Sequence, residues 1–116
     1  MVGAGDWRKA PDDNVVNRAA EVLRSLADAT RFHLLALLAD GPQDVNTLTT
    51  KVDASRSSVS QHLGRLRWAG LVTARREGRR MVYRLTSDHV HVLVAEAYAF
   101  AEHLDRDIPI TARMPD

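Results

Sequence analysis

The sequence predicts a mainly α-helical domain with a small β-hairpin, in the order α-α-α-α-β-β-α. Three observations support this fold class. The chain has 116 residues, which suits one compact domain with one core. Hydrophobic residues make up 45% and aromatic residues only 5%, so the core is expected to be aliphatic, which favours helices. Apolar residues recur at helical spacing, and two short apolar runs flank the turn sequence Glu77-Gly78.

The first half of the chain predicts three helices. Residues 1–10 lack periodicity and are expected to be flexible, and Asp12 with Asp13 supplies the start of the first helix. Thr30 is the predicted cap of the second helix, which ends at a Gly-Pro pair, and Asp44 opens a short third helix. The apolar faces are Val15, Val16, Ala19, Val22, Leu23 and Leu26, then Phe32, Leu34, Leu35, Leu37 and Leu38, then Val45, Leu48 and Val52.

The fourth helix, residues 56–69 with Ser55 as its cap, has two distinct sides when it is projected at about 100° per residue. The side expected to pack against the core carries Val59, His62, Leu63 and Leu66. The opposite side carries Ser57, Ser60, Gln61, Gly64 and Trp68, with Arg65 at its border. Trp68 is expected to cover the base of the hairpin, and His62 is expected to have a structural role.

A basic hairpin and a long helix complete the predicted fold. The predicted boundaries are strands at 71–75 and 81–85, a tight turn at Glu77-Gly78, a last helix to about 104 and an irregular tail over 105–116. Ser87 or Asp88 is the predicted cap of the last helix. The domain is therefore expected to span residues 11–104.

Positive charge is concentrated in one segment of the chain. Residues 51–84 hold nine basic and two acidic side chains, a net charge of +7, whereas the other 82 residues carry −6. A basic block in an otherwise acidic domain is typical of a protein that binds polyanions, because neutralising phosphates releases condensed counterions. A solvated charged face would usually mix the two signs. The charge distribution therefore favours a nucleic-acid partner.

Several classes of function are excluded or disfavoured by the same sequence. The chain has no cysteine, which removes disulfides, thiolate metal sites and cysteine nucleophiles. No window approaches the roughly 18 apolar residues of a membrane span, and the N-terminus lacks a basic-then-apolar signal, so a cytoplasmic protein is expected. An enzyme is not expected, because no nucleophile stands with a base at usable spacing and no cofactor fingerprint is present.

Short helices followed by a basic two-stranded hairpin predict a winged helix-turn-helix, with the fourth helix as a reader of the DNA major groove. Its small polar side offers hydroxyl and amide groups to bases or phosphates, and Gly64 lets the helix approach DNA closely. The hairpin arginines would lie beside the groove, although basic residues also protect edge strands from aggregation. The predicted DNA-contacting residues are Arg56, Ser57, Ser60, Gln61, Arg65, Arg79 and Arg80.

Three stretches resemble the ArsR/SmtB family of bacterial repressors: RSLADATRFHLLALL at 24–38, SRSSVSQHLGRLRWAGLV at 55–72 and RREGRRMVYRL at 75–85. The resemblance covers roughly residues 15–104. It implies a homodimeric repressor whose first and last helices form the dimer interface. Such a repressor binds an inverted-repeat DNA operator and is released by an inducer, most often a metal ion. The family's DNA-contacting positions match Ser57, Ser60 and Gln61.

The resemblance also indicates where a metal effector would bind. Family members that sense arsenic or cadmium use cysteines near the third helix, where this chain has Asp44-Val45-Asn46. Sensors of zinc, nickel and cobalt use an Asp-x-His pair and a His-x-x-His or His-x-x-Glu pair on the last helix. The matching positions here are Ser87-x-His89 and Phe100-x-x-His103, so two of the four positions are not metal ligands.

The two histidines nevertheless lie on one stripe of the last helix. An antiparallel pairing of two such helices would bring His89 of one subunit near His103 of the partner subunit. The surrounding residues His89-Val90 and Ala101-Glu102-His103 resemble the nickel/cobalt-sensing branch of the family. The further candidate metal ligands are Asp88, Glu96 and Glu102.

The sequence thus predicts a dimeric DNA-binding repressor, with nickel, cobalt or zinc as the candidate regulatory effector. Two alternatives stay open. The same repressor could be controlled by an accessory protein or a small molecule, with His89 and His103 as interface histidines that bind no metal. In a different class, a winged-helix protein-interaction module would not bind DNA, although the +7 segment argues against it.

Overall fold

Over residues 8–107, which the computed structural model describes, the chain forms five helices and three short strands. The helices are α1 (Asp13–Leu26), α2 (Ala29–Leu38), α3 (Val45–Lys51), α4 (Arg56–Trp68) and α5 (Asp88–Asp107). The strands are β1 (Gln43–Asp44), β2 (Val72–Glu77) and β3 (Arg80–Leu85). This order confirms the predicted winged helix-turn-helix, in which α3 and α4 are the helix-turn-helix and β2 with β3 is the wing.

The ends of the domain differ from the prediction in one respect. Helix α5 continues to Asp107, so residues 105–107 are helical and do not belong to an irregular tail. The rest of the predicted tail, 108–116, lies outside the described residues, as do residues 1–7 of the predicted flexible N-terminus. No helix in the described part of the chain is both long enough and apolar enough to span a membrane.

The sheet contains one strand more than the sequence predicts. Strand β3 lies between β1 and β2 and is antiparallel to both, with Gln43 of β1 opposite Tyr83. Strand β1 has only two residues, too few for the alternation of a strand to show in the sequence. Because β1 directly precedes α3, its pairing with β3 attaches the wing to the helix-turn-helix.

The turn of the wing falls one residue later than predicted. Glu77 pairs with Arg80, so the two-residue turn is Gly78-Arg79 and not Glu77-Gly78. Gly78 has a φ of 65°, and a glycine at the first central position is typical of a type II′ hairpin turn. Arg79 therefore lies at the tip of the wing, and Arg80 begins the returning strand.

Polar side chains cap the helix starts. Asp44 caps α3 and Ser55 caps α4, as predicted. The predicted cap of α2 is wrong: Asp28, not Thr30, takes this role, with its Oδ2 accepting a bond of 2.9 Å from the Arg31 backbone. At α5, Ser87 is the cap of the two candidates, because its Oγ accepts a 2.9 Å bond from the backbone N–H of His89. Each such cap contributes about 1 kcal/mol to stability.

An aliphatic core packs between the helices and the wing. The residues with no exposed surface (0%) are Leu34, Leu35, Leu48, Val59, Leu63 and Leu66. Helix α5 adds Val90 and Val94, and the wing adds Val72 and Tyr83. Replacing one of the fully buried leucines with alanine is expected to lower the free energy of unfolding by about 2–5 kcal/mol, because the cavity left behind adds to the lost hydrophobic transfer energy.

Two helices carry apolar side chains that this core does not cover. On α1 only Leu26 is buried, whereas Val15, Val16 and Leu23 are 64%, 49% and 55% exposed. On α5 the exposed apolar side chains are Val92, Leu93, Tyr98 and Phe100. Exposed apolar side chains that share one side of a helix, as Val15, Val16 and Leu23 do, are typical of a protein interface.

Candidate nucleic-acid interface

The core fixes the orientation of α4. Val59, Leu63 and Leu66 are fully buried on one side of the helix, so the other side must face outward. The side chains exposed there are Ser57, Ser60, Gln61 and Arg65, and Gly64 lies among them. This is the placement that the helical projection predicts.

Gly64 is not required by packing within the chain. A β-carbon added at this position would meet nothing within 4 Å, and the residue has no positive φ. An alanine would therefore fit without strain and would favour the helix by about 1 kcal/mol. The absence of a side chain at Gly64 therefore gives extra room only to another molecule that approaches the exposed side of α4.

A polar contact also holds α4 against the junction of α1 and α2. His62 Nδ1 lies 3.3 Å from Nη1 of Arg31 and 3.8 Å from Oδ2 of Asp28. Arg31 in turn donates from Nε to the carbonyl oxygen of Ser25 at 2.8 Å. The backbone N–H of Arg31 lowers the pKa of Asp28, because its hydrogen bond favours the charged carboxylate. His62 therefore has the structural role expected of it.

The expectation that Trp68 covers the hairpin base is wrong. Its side chain is 93% exposed at the end of α4. Leu71 and Val72, which lead into the wing, are buried against the core, so the wing leaves α4 from the inward side, opposite to Trp68. Trp68 instead lines an open groove between α4 and α1, together with Gln61, Arg65 and Arg18.

The wing is attached to α3 by an ion pair. Nη1 of Arg80 lies 3.4 Å from Oδ2 of Asp44, whose side chain is only 8% exposed. The other carboxylate oxygen of Asp44 accepts a 2.8 Å bond from the backbone N–H of Thr47. Hydrogen bonds from Thr47, supported by the charge of Arg80, lower the pKa of Asp44.

The basic residues of the prediction fall into two groups. Arg65 lies on the outward side of α4, whereas Arg56, Arg79 and Arg80 lie where the start of α4 meets the wing. Nε of Arg56 donates to Oδ1 of Asn46 at 3.0 Å. Sequence reasoning did not include Asp44 and Asn46 in the site, because their partners are 36 and 10 residues away along the chain.

The candidate metal ligands are not brought together within one chain. His89 and His103 are both exposed on α5 and stand 14 residues apart, which is about 21 Å along a helix. The stacked ring of Phe100 lies beside His103, with ring centroids 6.4 Å apart. Over residues 8–107 no group of three or more potential ligands is close enough to hold an ion. Asp88, Glu96 and Glu102 are exposed and complete no such group. Within the described part of one protomer, the candidate ligands therefore do not converge on a metal site.

The winged helix, the outward polar side of α4 and the basic segment together define a DNA-binding transcriptional regulator. Comparison with known proteins gives the family. The model of the family described as "Bacterial regulatory protein, arsR family" matches residues 28–74. The chain belongs to this family of bacterial regulators, which are not enzymes.

Relatives and solved structures agree with this assignment. The chain is 48% identical to the HTH-type transcriptional regulator KmtR of Mycobacterium tuberculosis, over 85% of this chain and 75% of that protein. It is 38% identical to the HTH-type transcriptional regulator NmtR of the same organism, over 80% and 78% of the two chains. Among solved structures it is similar to HlyU from Vibrio cholerae, with a TM-score of 0.73, 29% identity and coverage of 77% and 97%.

A further solved structure is the homodimeric winged helix-turn-helix DNA-binding domain of Mb0332 from Mycobacterium bovis. The TM-score is 0.72 and the identity 34%, and the match covers 93% of this chain and 97% of that one. The likeness therefore extends over the helices that frame the domain as well as over the helix-turn-helix.

Proposed function

We propose that the protein is a homodimeric repressor that binds an inverted-repeat DNA operator, and that it acts in the cytoplasm, where bacterial DNA lies. The outward side of α4 carries this proposal. Apart from Trp68 at the end of the helix, its exposed residues are small or polar, its glycine leaves room that the chain itself does not use, and it lies within the segment of net charge +7. Two such helices related by a two-fold axis would read major grooves about 34 Å apart.

The uncovered apolar faces of α1 and α5 support the dimer. An isologous interface needs a self-complementary patch, and the exposed valines and leucine of α1, with Val92, Leu93 and Phe100 on one side of α5, supply apolar surface for one. The homodimeric domain from Mycobacterium bovis, which aligns with 93% of this chain, also supports a dimer. Pairing through α1 and α5 would leave α4 and the wing of each protomer free to contact DNA.

The DNA-binding proposal is tested by selecting binding sites from a randomised duplex library and measuring affinity for the selected duplex by fluorescence anisotropy. We expect an inverted repeat. Gln61→Ala and Arg65→Ala are each expected to weaken binding by about 1–3 kcal/mol, roughly tenfold or more. Arg106→Ala removes one charge from α5, outside the basic segment, and is the control. An enriched sequence without two-fold symmetry, or full affinity in both α4 variants, would contradict the proposal.

We further propose a divalent metal ion, nickel, cobalt or zinc, as the effector that lowers DNA affinity. His89 of one protomer and His103 of the partner subunit would hold it, and imidazole nitrogens suit these metals. Both side chains are exposed on the uncovered part of α5, which supports a site that only two chains can form. The alternative is control by an accessory protein or a small molecule. Titration of the dimer with metal ions distinguishes this alternative from metal control.

A further inference from the structure

A small pocket lies where the wing meets the helix-turn-helix. Its volume is about 120 Å³, and its polar lining is Asp44, Asn46, Arg56, Arg76, Arg79 and Arg80. Four guanidinium groups therefore surround it with one carboxylate. Among the described residues, neither Arg76 nor Arg79 has an acidic partner. Like charges brought together in this way repel one another, unless an anion offsets them.

Two of the four arginines are held in place by the chain itself. Asn46 accepts a 3.0 Å bond from Nε of Arg56, and Asp44 lies 3.4 Å from Nη1 of Arg80. Asp44 is nearly buried, and its side chain is held in place because it also caps α3 by accepting a hydrogen bond from Thr47. Its carboxylate offsets one of the four positive charges. The pocket keeps a net charge of about +3 and two pre-positioned guanidinium groups.

The size of the pocket limits what it can hold. At about 120 Å³ the pocket has room for one compact tetrahedral anion. The planar fork of a guanidinium group matches the oxygens of a phosphate, and several such forks around one anion are the usual protein solution for binding phosphate.

We propose that this pocket binds one phosphate group, and that the phosphate is a backbone phosphodiester of the operator DNA. This inference rests on the proposed DNA-binding function. A phosphate held between α3, α4 and the wing would fix the register of α4 in the major groove without reading any base. It gives Arg76, which the sequence-based set of contacts omits, a direct contact, and it makes Asn46 and Asp44 positioning residues.

The test compares two neighbouring arginines of the same strand. Arg76→Gln removes a charge that lines the pocket. Arg75→Gln removes the same charge from a residue that does not line it and that points to the opposite face of β2. Affinity for the selected operator and for an unrelated duplex would be measured between about 50 and 200 mM salt. Thermal unfolding would show that both variants remain folded.

Arg76→Gln is expected to weaken binding to both duplexes by a similar factor, about tenfold, and to reduce the slope of log affinity against log salt by about 0.9. Arg75→Gln should leave the slope nearly unchanged. Asn46→Ala keeps every charge but frees Arg56, so it should reduce affinity severalfold without changing the slope. Equal slopes for the two arginine variants would overturn the inference about the pocket. The proposed function would still stand in that case, provided that the wild type binds the operator. Failure of the wild type to bind any duplex would overturn both.

A second arm separates the two sources of phosphate. Wild-type protein and both variants would be titrated with inorganic phosphate by calorimetry. Weak or undetectable heat, together with the loss of DNA affinity in Arg76→Gln, supports the backbone phosphodiester. Saturable phosphate binding that Arg76→Gln abolishes, with unchanged DNA affinity, would assign the pocket to a free phosphorylated ligand and overturn the inference.

Discussion

Nη1 of Arg31 lies 3.3 Å from Nδ1 of His62, and this contact links the first turn of α2 to the helix that is proposed to read DNA. The same guanidinium group donates to the carbonyl oxygen of Ser25, in the last turn of α1. His62 is the residue after Gln61, a proposed DNA contact. The orientation of α4 therefore depends on a polar contact with the α1–α2 junction as well as on the aliphatic core.

Removing this contact is expected to destabilise the fold. Arg31→Ala leaves the Ser25 carbonyl and the His62 ring without their donor, and should lower the free energy of unfolding by about 1–3 kcal/mol. Urea unfolding at one fixed protein concentration measures the effect, because dimerisation would make stability depend on concentration. Arg24→Ala is the control, because Arg24 is an exposed arginine next to Ser25 in the last turn of α1. Equal losses in the two variants would show that the Arg31 contact adds no stability.

The lowered pKa of Asp44 predicts a loss of stability in acid. A carboxyl group whose pKa is lower in the folded state stabilises the fold above its ordinary value of 3.8, and this contribution disappears as pH falls through the folded pKa. Urea midpoints of the wild type should therefore decline below about pH 4. Asp44→Asn keeps a capping oxygen but cannot titrate, so its midpoints should decline less steeply. Parallel curves for the two proteins would refute this role of Asp44.

The proposed dimer interface predicts that a charge on the apolar side of α1 or α5 weakens association. Leu23→Glu and Phe100→Glu would each place an unpaired carboxylate in the interface, which should raise the dimer dissociation constant by at least about tenfold. Analytical ultracentrifugation measures the constant. Thr73→Glu is the control, because Thr73 is exposed on the wing and lies on neither α1 nor α5. A wild-type monomer at micromolar concentration would contradict the interface.

Metal binding is expected of the dimer and not of the isolated protomer. Calorimetry with nickel, cobalt and zinc should show tight binding that is lost in the His89→Ala, His103→Ala double variant. At a concentration where Leu23→Glu is monomeric, this variant retains both histidines and should also fail to bind tightly, since the two positions are separated by about 21 Å along α5 of one chain. If the wild-type dimer binds no metal, an accessory protein or small molecule becomes the favoured effector.

Local patterns in the sequence were sufficient to predict most of the fold. The spacing of Val59, Leu63 and Leu66 orients α4 correctly, because a helix with one apolar stripe can pack in only one way. The caps Asp44 and Ser55 are also predictable from the sequence, because each accepts a hydrogen bond from a backbone N–H only three residues further along the chain.

Features that depend on contacts between distant segments were not predictable in this way. Strand β1 exists only because β3 lies beside it, and Trp68 is exposed because the wing departs from the other side of α4. The pocket at the wing combines residues from Asp44 to Met81, and no spacing rule joins them. The apolar side of α1 is recognised correctly from the sequence, but within the described part of the chain Val15, Val16 and Leu23 stay exposed.

The pairing of β1 with β3 has a mechanical consequence. Val72 and Tyr83 anchor the base of the wing in the core, and β3 continues into α5. The pairing of β1 with β3 and the Asp44–Arg80 ion pair add a further attachment, which holds the wing to the start of α3. Each protomer should then move as a rigid body during regulation. An effector would alter the quaternary arrangement of two fixed units, so structures with and without it should superpose protomer by protomer but not as dimers.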